Sequence, residues 1–130
     1  MMDAYLSREA HQTLAALGLV SSNQNSDGFL IGHKRGHRLF VEKILPSMKG
    51  FFPSLKKYQE IDELYEGQLL GFFSFRPDEK KINKLLAPHA YGKLFLEINP
   101  NPQKRLTIKS YVVDYKKEFF LSPIKLKNIR

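Results

Sequence analysis

The chain has 130 residues, of which 42% are hydrophobic, with a formal net charge of +8 and no cysteine. This length suits one domain with one core, and the lack of cysteine excludes disulfide bonds and thiolate metal sites. Charge is uneven, because residues 1–32 hold one base and three acids, whereas residues 33–130 hold twenty bases and ten acids. Such an excess attracts nucleic acid, anionic lipid or an acidic protein, or serves only solubility.

The first half of the chain predicts a helix, a β-hairpin and a second helix. Ser7 is a suitable N-cap, and glycines and prolines separate the elements. In chain order these are a helix from Ser7 to about Leu17, strands over Gly28–His33 and His37–Leu45 around a turn at 34–36, and a helix over Leu55–Tyr65.

The second half predicts a buried strand, a third helix and three further strands. The apolar segment Gln68–Phe75 is typical of a central strand, and Pro77 opens the helix that follows it. The later strands are predicted over Lys93–Ile98, Leu106–Asp114 and Glu118–Leu121. The order of elements predicts an α+β fold, a mixed β-sheet flanked by helices, in a single domain over residues 1–130.

The sequence gives no sign of a membrane segment. The longest apolar stretch, Gln68–Phe75, is far shorter than the ~18–20 residues that a membrane helix requires. Asp3, Arg8 and Glu9 interrupt the N-terminal residues, which is unlike a signal peptide. We therefore expect a cytoplasmic protein that does not bind membranes.

Two short motifs, together with the order of elements, resemble the MPN/JAMM domain, the fold of zinc-dependent deubiquitinases. The segment Gly28–Gly32 (GFLIG) is similar to the Gly-x-Leu-x-Gly strand of that family. The segment Gly71–Pro77 (GFFSFRP) is similar to its Gly-x-x-His-x-His-Pro motif. The resemblance implies an MPN/JAMM-like sheet with cytidine-deaminase-like layering.

The resemblance also implies five site positions, and none holds the residue that zinc hydrolysis needs. The two zinc-binding histidines are replaced by Ser74 and Arg76, the zinc-binding aspartate by Ala87, the glutamate base by Asn25 and the oxyanion serine by Lys84. The resemblance therefore implies a metal-free, cofactor-free pseudoenzyme that acts as a scaffold, often through pairing with another domain of the same fold.

Arg76 allows two interpretations at a former metal position. Its guanidinium group either replaces the charge of the metal and holds nearby carbonyl or carboxylate groups, or stays open and binds an anion. Because Pro77 and the start of a helix keep Arg76 close to its own backbone neighbours, the structural role is favoured.

Several other groups of residues have both a functional and a plain interpretation. His33 and His37 are spaced like metal ligands, but they flank a basic turn, which favours two exposed histidines. Phe51 and Phe52 lie in a loop bounded by glycine and proline and are candidates for an apolar contact between copies of the chain. Two basic patches are candidates for binding anions: Lys34, Arg35 and Arg38, and then Lys80, Lys81 and Lys84.

Acidic residues cluster on the second predicted helix at Glu60, Asp62, Glu63 and Glu66. Paired carboxylates would serve acid–base chemistry, but the nearby lysines favour a solvated helix face. No phosphate-binding loop or nucleophile elbow is present, and no catalytic site assembles from the motifs.

Three functions follow from these observations. The first is a non-catalytic interaction or scaffold module whose partner is a protein, including a second copy of the chain. The second is nucleic-acid binding through the basic surface. The third is an enzyme of unrelated chemistry. Because the zinc ligands are missing, the first function is the main hypothesis.

Overall fold

The computed structural model describes residues 2–20, 27–47, 55–100 and 106–128, in which eight strands form one sheet. The strands are β1 (Asp3–Leu6), β2 (Asp27–Arg35), β3 (Arg38–Ser47), β4 (Leu69–Phe75), β5 (Leu94–Pro100), β6 (Leu106–Tyr115), β7 (Phe119–Pro123) and β8 (Lys125–Asn128). The helices are α1 (Arg8–Val20), α2 (Leu55–Leu64) and α3 (Glu79–Leu85), and a 3-10 turn spans Pro88–Ala90.

The sheet is mixed and runs in the order β7-β6-β5-β4-β2-β3-β1-β8. Pairing is parallel between β1 and β3, between β1 and β8 and between β4 and β5, and antiparallel elsewhere. The two end strands, β7 and β8, are consecutive in the chain. Since β7 pairs with β6 while β8 pairs with β1, the sheet curls until its ends almost meet, which makes a nearly closed, barrel-like sheet.

The α+β prediction of a mixed sheet flanked by helices, with MPN/JAMM-like and cytidine-deaminase-like layering, is wrong. Strand residues outnumber helical residues in the part of the chain that the structure describes, and the helices are few. The prediction failed because β1 and β8 have only four residues each, and an alternation this short does not by itself indicate a strand. Closure of the sheet depends on their long-range pairing, which local periodicity does not reveal.

Several local predictions are confirmed. The hairpin of β2 and β3 turns at Gly36, whose φ of +58° suits glycine. The hydroxyl of Ser7 accepts the Ala10 N–H at 3.0 Å, as expected of an N-cap. Helix α1 nevertheless continues through Gly18 to Val20. The predicted end of this helix at about Leu17 is therefore wrong.

Apolar side chains pack on both faces of the central strands. On the inner face, Leu30 and Phe73 pack with Leu14 of α1. On the outer face, Phe29, Phe72 and Phe95 pack with Ile61 of α2 and Leu85 of α3. All seven residues of β4 are buried, which explains the continuous apolar run of this strand and confirms its prediction as a central strand.

The glycine at position 71 lets β4 and β5 approach closely. A Cβ atom added there would lie 1.8 Å from the carbonyl oxygen of Leu94, which no side chain tolerates.

No helix in the described ranges is both long and apolar enough to cross a membrane. The single domain over residues 1–130 stays a prediction.

Candidate functional site

A buried polar cluster lies where β2 begins and β4 ends. Asp27 and Ser74 are register partners, and the Ser74 hydroxyl donates to Asp27 Oδ1 at 2.5 Å. Lys81 of α3 places its Nζ 3.6 Å from Asp27 Oδ2. Ser74 has no exposed surface, Asp27 is 6% exposed and the Lys81 side chain is 16% exposed, so the serine and the carboxylate are buried beneath a partly exposed lysine.

The position of Lys81 follows from the start of α3. The Asp78 carboxylate caps this helix by accepting the Lys81 N–H at 2.8 Å. The cap fixes the first turn of the helix beside the end of β4, and the side chain of Lys81 then reaches Asp27.

Burial governs the charge of this cluster. It raises the pKa of the Asp27 carboxyl above its ordinary value, and this outweighs the lowering by the Ser74 hydrogen bond and by the Lys81 ammonium group.

A second buried ionisable group, Lys93, lies outside this cluster. Burial lowers the pKa of Lys93, against the opposite effect of Asp62. The Lys93 ammonium group donates to the Leu69 carbonyl oxygen at 2.9 Å. Both ionisable groups are held by protein partners.

A serine beside a carboxylate invites comparison with a nucleophile and its base. A serine nucleophile must reach a substrate carbonyl, and its base must take the hydroxyl proton. Ser74 is fully buried and its proton is directed at Asp27. The arrangement supports a structural cluster that holds β2, β4 and α3 together.

The five positions implied by the MPN/JAMM resemblance have separate environments. Ser74 belongs to the buried cluster, whereas Asn25 lies outside the described residues. Arg76 is exposed, has a φ of +51°, and donates its backbone N–H to the Ile98 carbonyl oxygen at 2.9 Å. Lys84 is exposed on α3, and Ala87 is half-buried just after this helix. Ser74 is linked to α3 through Asp27, which accepts its hydroxyl and forms an ion pair with Lys81 of that helix.

Within the described ranges, no group of three or more histidine, aspartate or glutamate side chains is placed to hold a metal ion. The absence of zinc and of other cofactors stays a prediction. Phe51 and Phe52, the candidates for self-association, lie outside the described residues.

The two predicted basic patches differ in the structure. Lys34, Arg35 and Arg38 are all exposed around the β2–β3 turn. In the second patch Lys80 and Lys84 are exposed, whereas Lys81 turns inward towards Asp27. Only the first patch keeps all its charges at the surface.

A row of aromatic rings crosses the sheet beside the first patch. Tyr5 of β1 stacks on Phe40 of β3 at 5.0 Å between ring centroids, and His33 of β2 stacks on the other side of Phe40, also at 5.0 Å. Lys127 of β8 lies over the Tyr5 ring at 5.6 Å. These residues are register partners on four adjacent strands.

Charged residues surround this row. The neighbouring register positions hold Lys125, Asp3, Arg38 and Arg35 on β8, β1, β3 and β2, and the His33 ring pairs with the Glu42 carboxylate. A depression of about 530 Å³ opens among Asp3, Arg35, Gly36, His37, Arg38 and Phe40. We call this surface, Tyr5, His33 and Phe40 with Arg35, Arg38, Lys125 and Lys127, the basic face.

The rings of the basic face are stacked on one another. The interplanar angles are 16° between Tyr5 and Phe40 and 18° between His33 and Phe40. Nearly parallel rings with centroids 5.0 Å apart overlap face to face, because coplanar rings at that distance would collide. Phe40 therefore has a stacked ring on each side, from Tyr5 and from His33.

Sequence reasoning missed Asp27 as a site residue and the aromatic row as a surface. The available signal for the row was the alternation Arg38, Phe40, Glu42, which places these side chains on one face of β3. Tyr5 could not be added to it because β1 was not predicted. The pairing of Asp27 with Ser74 depends on the register of two strands that are distant in sequence.

No protein-family model and no curated protein matches this chain. Among solved structures, the solution structure of protein DSY2949 from Desulfitobacterium hafniense is similar, with a TM-score of 0.66 and 18% sequence identity. The match covers 97% of this chain and 94% of that chain. At this identity the likeness shows a shared fold and no shared function.

Proposed function

We propose that the protein is a non-catalytic interaction module and that its basic face binds an acidic surface of a partner protein. The observation that carries the proposal is the open basic face, where arginines and lysines surround stacked rings. Cationic groups attract and orient an acidic partner, and the partly exposed rings with the aliphatic stems of arginine add apolar contact. The proposal includes a cytoplasmic location, which the lack of cysteine supports.

The buried cluster supports a non-catalytic role. Its serine is fully buried and its carboxylate already has two partners, so neither group is presented to a substrate. The proposal does not depend on the MPN/JAMM resemblance. Under that resemblance the chain would be a metal-free pseudoenzyme, which agrees with a binding role.

Nucleic-acid binding is the second candidate, because Arg35 and Arg38 border one depression and the chain has a net charge of +8. Guanidinium groups bind phosphate well. Single-stranded nucleic acid, however, also stacks its bases on exposed ring faces. Since the faces of Phe40 are covered by Tyr5 and His33, the basic face suits an acidic protein better.

An acidic surface of this kind exists on the chain itself. Glu60, Glu63 and Glu66 are exposed on and just after α2, with the half-buried Asp62 beside them. A second copy could present these carboxylates to the basic face. Sedimentation of the chain at increasing concentration, with and without added salt, tests this form of the proposal.

Binding to labelled polyglutamate and to labelled oligothymidylate would test the proposal. The variant carries Arg35→Glu and Arg38→Glu, and the control carries Lys116→Glu and Lys117→Glu, an equal charge change on the β6–β7 turn. We expect the arginine variant to lose polyglutamate affinity by about tenfold or more and the control to lose far less.

Two outcomes would contradict this assignment. Equal losses in both variants would show that net charge, and not the basic face, attracts the probe. Tighter binding of oligothymidylate, with an affinity that falls steeply with salt, would favour nucleic acid. Thermal unfolding of each variant checks that the fold is retained.

A further inference from the structure

The sheet is incompletely closed between β6 and β8. Only the second half of β6, from Tyr111 to Tyr115, pairs with β7. The first half, Leu106–Ser110, pairs with β5 on one side and has no strand on its other side within the described ranges. Among the described strands, β8 pairs with β1 on one side and with none on the other. We call the gap between this half of β6 and β8 the seam.

The seam begins at a fork where the chain leaves β6. The Ile124 N–H donates to the Ser110 carbonyl oxygen at 3.0 Å, and the Ser110 hydroxyl donates to the Ile124 carbonyl oxygen at 2.7 Å. Next to the fork lies a depression of about 340 Å³, whose lining includes Ile108, Lys109 and Leu126. The two strands border the depression.

Backbone groups of β6 point into the seam. N–H and C=O groups of successive strand residues point to opposite sides. The Val113 N–H and C=O bond to Lys93 and Gly92 on the β5 side, whereas the Ser110 C=O bonds to Ile124 on the seam side. By this alternation the N–H and C=O groups of Leu106 and Ile108 face the seam, where they can pair with another strand.

Side chains along the seam alternate between apolar and cationic. Leu106, Ile108, Ile124 and Leu126 are partly buried and pack against the inner core. Thr107, Lys109, Lys125 and Lys127 are exposed on the opposite face. This part of β6 and the whole of β8 carry these three lysines and no acidic residue. The acidic neighbours of these lysines lie on other strands. Asp3 Oδ2 on β1 lies 3.8 Å from Lys127 Nζ, and Glu97 of β5 is the register partner of Lys109.

We propose that the seam binds an extended segment of a partner protein by strand addition to β6. The segment alternates apolar residues, which face the core, with acidic residues, which face the lysines. Open backbone groups require an extended peptide, because only a second strand supplies donors and acceptors at matching intervals. The lysines select acidic over basic side chains by charge complementarity. The seam shares Lys125 and Lys127 of β8 with the basic face, but its open backbone groups lie on β6, and the proposal does not depend on the function proposed for the basic face.

Three labelled hexapeptides test the proposal. The first alternates valine and glutamate, the second alternates valine and lysine, and the third repeats the first with N-methyl groups on alternate residues. We expect the valine–glutamate peptide to bind at least about tenfold more tightly than the valine–lysine peptide. N-methylation on the side that faces β6 should abolish binding, because it removes the backbone donors. Hydrogen exchange should show protection of the Ile108 amide on binding.

A charge-reversed protein gives the complementary test. With Lys109→Glu and Lys125→Glu, the preference should change to the valine–lysine peptide. A protein with Lys116→Glu and Lys117→Glu, of equal net charge, should keep the original preference. If N-methylated and unmodified peptides bind equally, or if both variants change alike, strand addition at the seam is wrong. The N-methyl comparison needs no protein variant, so it stands even if charge reversal weakens the fold.

Discussion

The buried carboxylate of Asp27 links the stability of the sheet to pH. Burial raises its pKa in the folded protein, so the folded state binds the proton more tightly than the unfolded state. The stability that Asp27 contributes is then fully present below its ordinary pKa, and it is lost as the pH rises through the raised value. Each tenfold difference in proton affinity between the two states corresponds to about 1.4 kcal/mol of stability.

The substitution Asp27→Asn removes this titration and keeps an oxygen that accepts the Ser74 hydroxyl. We expect the free energy of unfolding of the native protein to fall, relative to that of the variant, as the pH rises through this window. Urea unfolding of both proteins between about pH 3 and pH 7 measures the difference. If the native protein instead becomes more stable relative to the variant as the pH rises, the effects of Lys81 and Ser74 on the pKa of Asp27 outweigh the effect of burial.

Arg76 has a backbone conformation that side chains disfavour. Its φ of +51° lies in the left-handed region, which costs a residue with a Cβ atom about 1–2 kcal/mol. Its side chain is exposed. We therefore predict that Arg76→Gly leaves the protein as stable as before or stabilises it by up to about 1 kcal/mol, after the larger unfolded-state entropy of glycine is included.

The matched control is Lys80→Gly, which also replaces an exposed cation by glycine but in the first turn of α3. It should destabilise the protein by up to about 1 kcal/mol. Urea unfolding compares the two variants. A loss for Arg76→Gly as large as that for Lys80→Gly would show that the guanidinium group holds structural contacts. In that case the first of the two interpretations of Arg76 is correct.

At the scale of elements, β4 is the centre of the sheet, and its burial follows from its neighbours on both sides. Leu70 is 7% exposed within the inner core. Leu70→Ala should lower the free energy of unfolding by roughly 2–5 kcal/mol, because a truncated leucine leaves a cavity that a packed core fills only in part. Leu64 of α2 is 71% exposed, so Leu64→Ala is a control with the same chemical change. Urea unfolding that shows equal effects would contradict the central position of β4.

The elements that sequence predicted are those with a strong local pattern. The hairpin of β2 and β3 has a glycine turn, β4 is uniformly apolar, and α1 has a serine cap. Strand β1 was not predicted because Asp3–Leu6 precedes a helix without a turn signal. Its alternation becomes informative only when β3 and β8 lie beside it.

The candidate site was predictable to a smaller extent for the same reason. Arg35 and Arg38 are close in sequence, so their patch was visible as a motif. Tyr5 and Lys127, which extend this patch into the basic face, come from the two ends of the chain. The buried cluster likewise joins Asp27 to Ser74 across two strands, and no local spacing encodes that pair.

At the scale of the whole molecule, closure of the sheet depends on a strand of four residues. Strand β8 gives β1 its second neighbour and brings the end of the chain to its beginning. The Asp3 N–H donates to the His37 carbonyl oxygen and the Ser7 N–H to that of Val41. By the alternation of a strand, the N–H groups of Ala4 and Leu6 point to β8 instead.

A chain that ends at Ile124 lacks β8 and keeps the fork at Ser110. We predict that hydrogen exchange then accelerates at Ala4 and Leu6, since their acceptors on β8 are gone, and changes less at Tyr5, whose N–H faces β3. Each loss of about 1.4 kcal/mol in local stability raises the exchange rate tenfold. A chain that ends at Asn128 is the control. Equal acceleration at all three amides would mean that β1 detaches from β3 as well. In that case β8 stabilises the whole of β1, and not only the hydrogen bonds between β1 and β8.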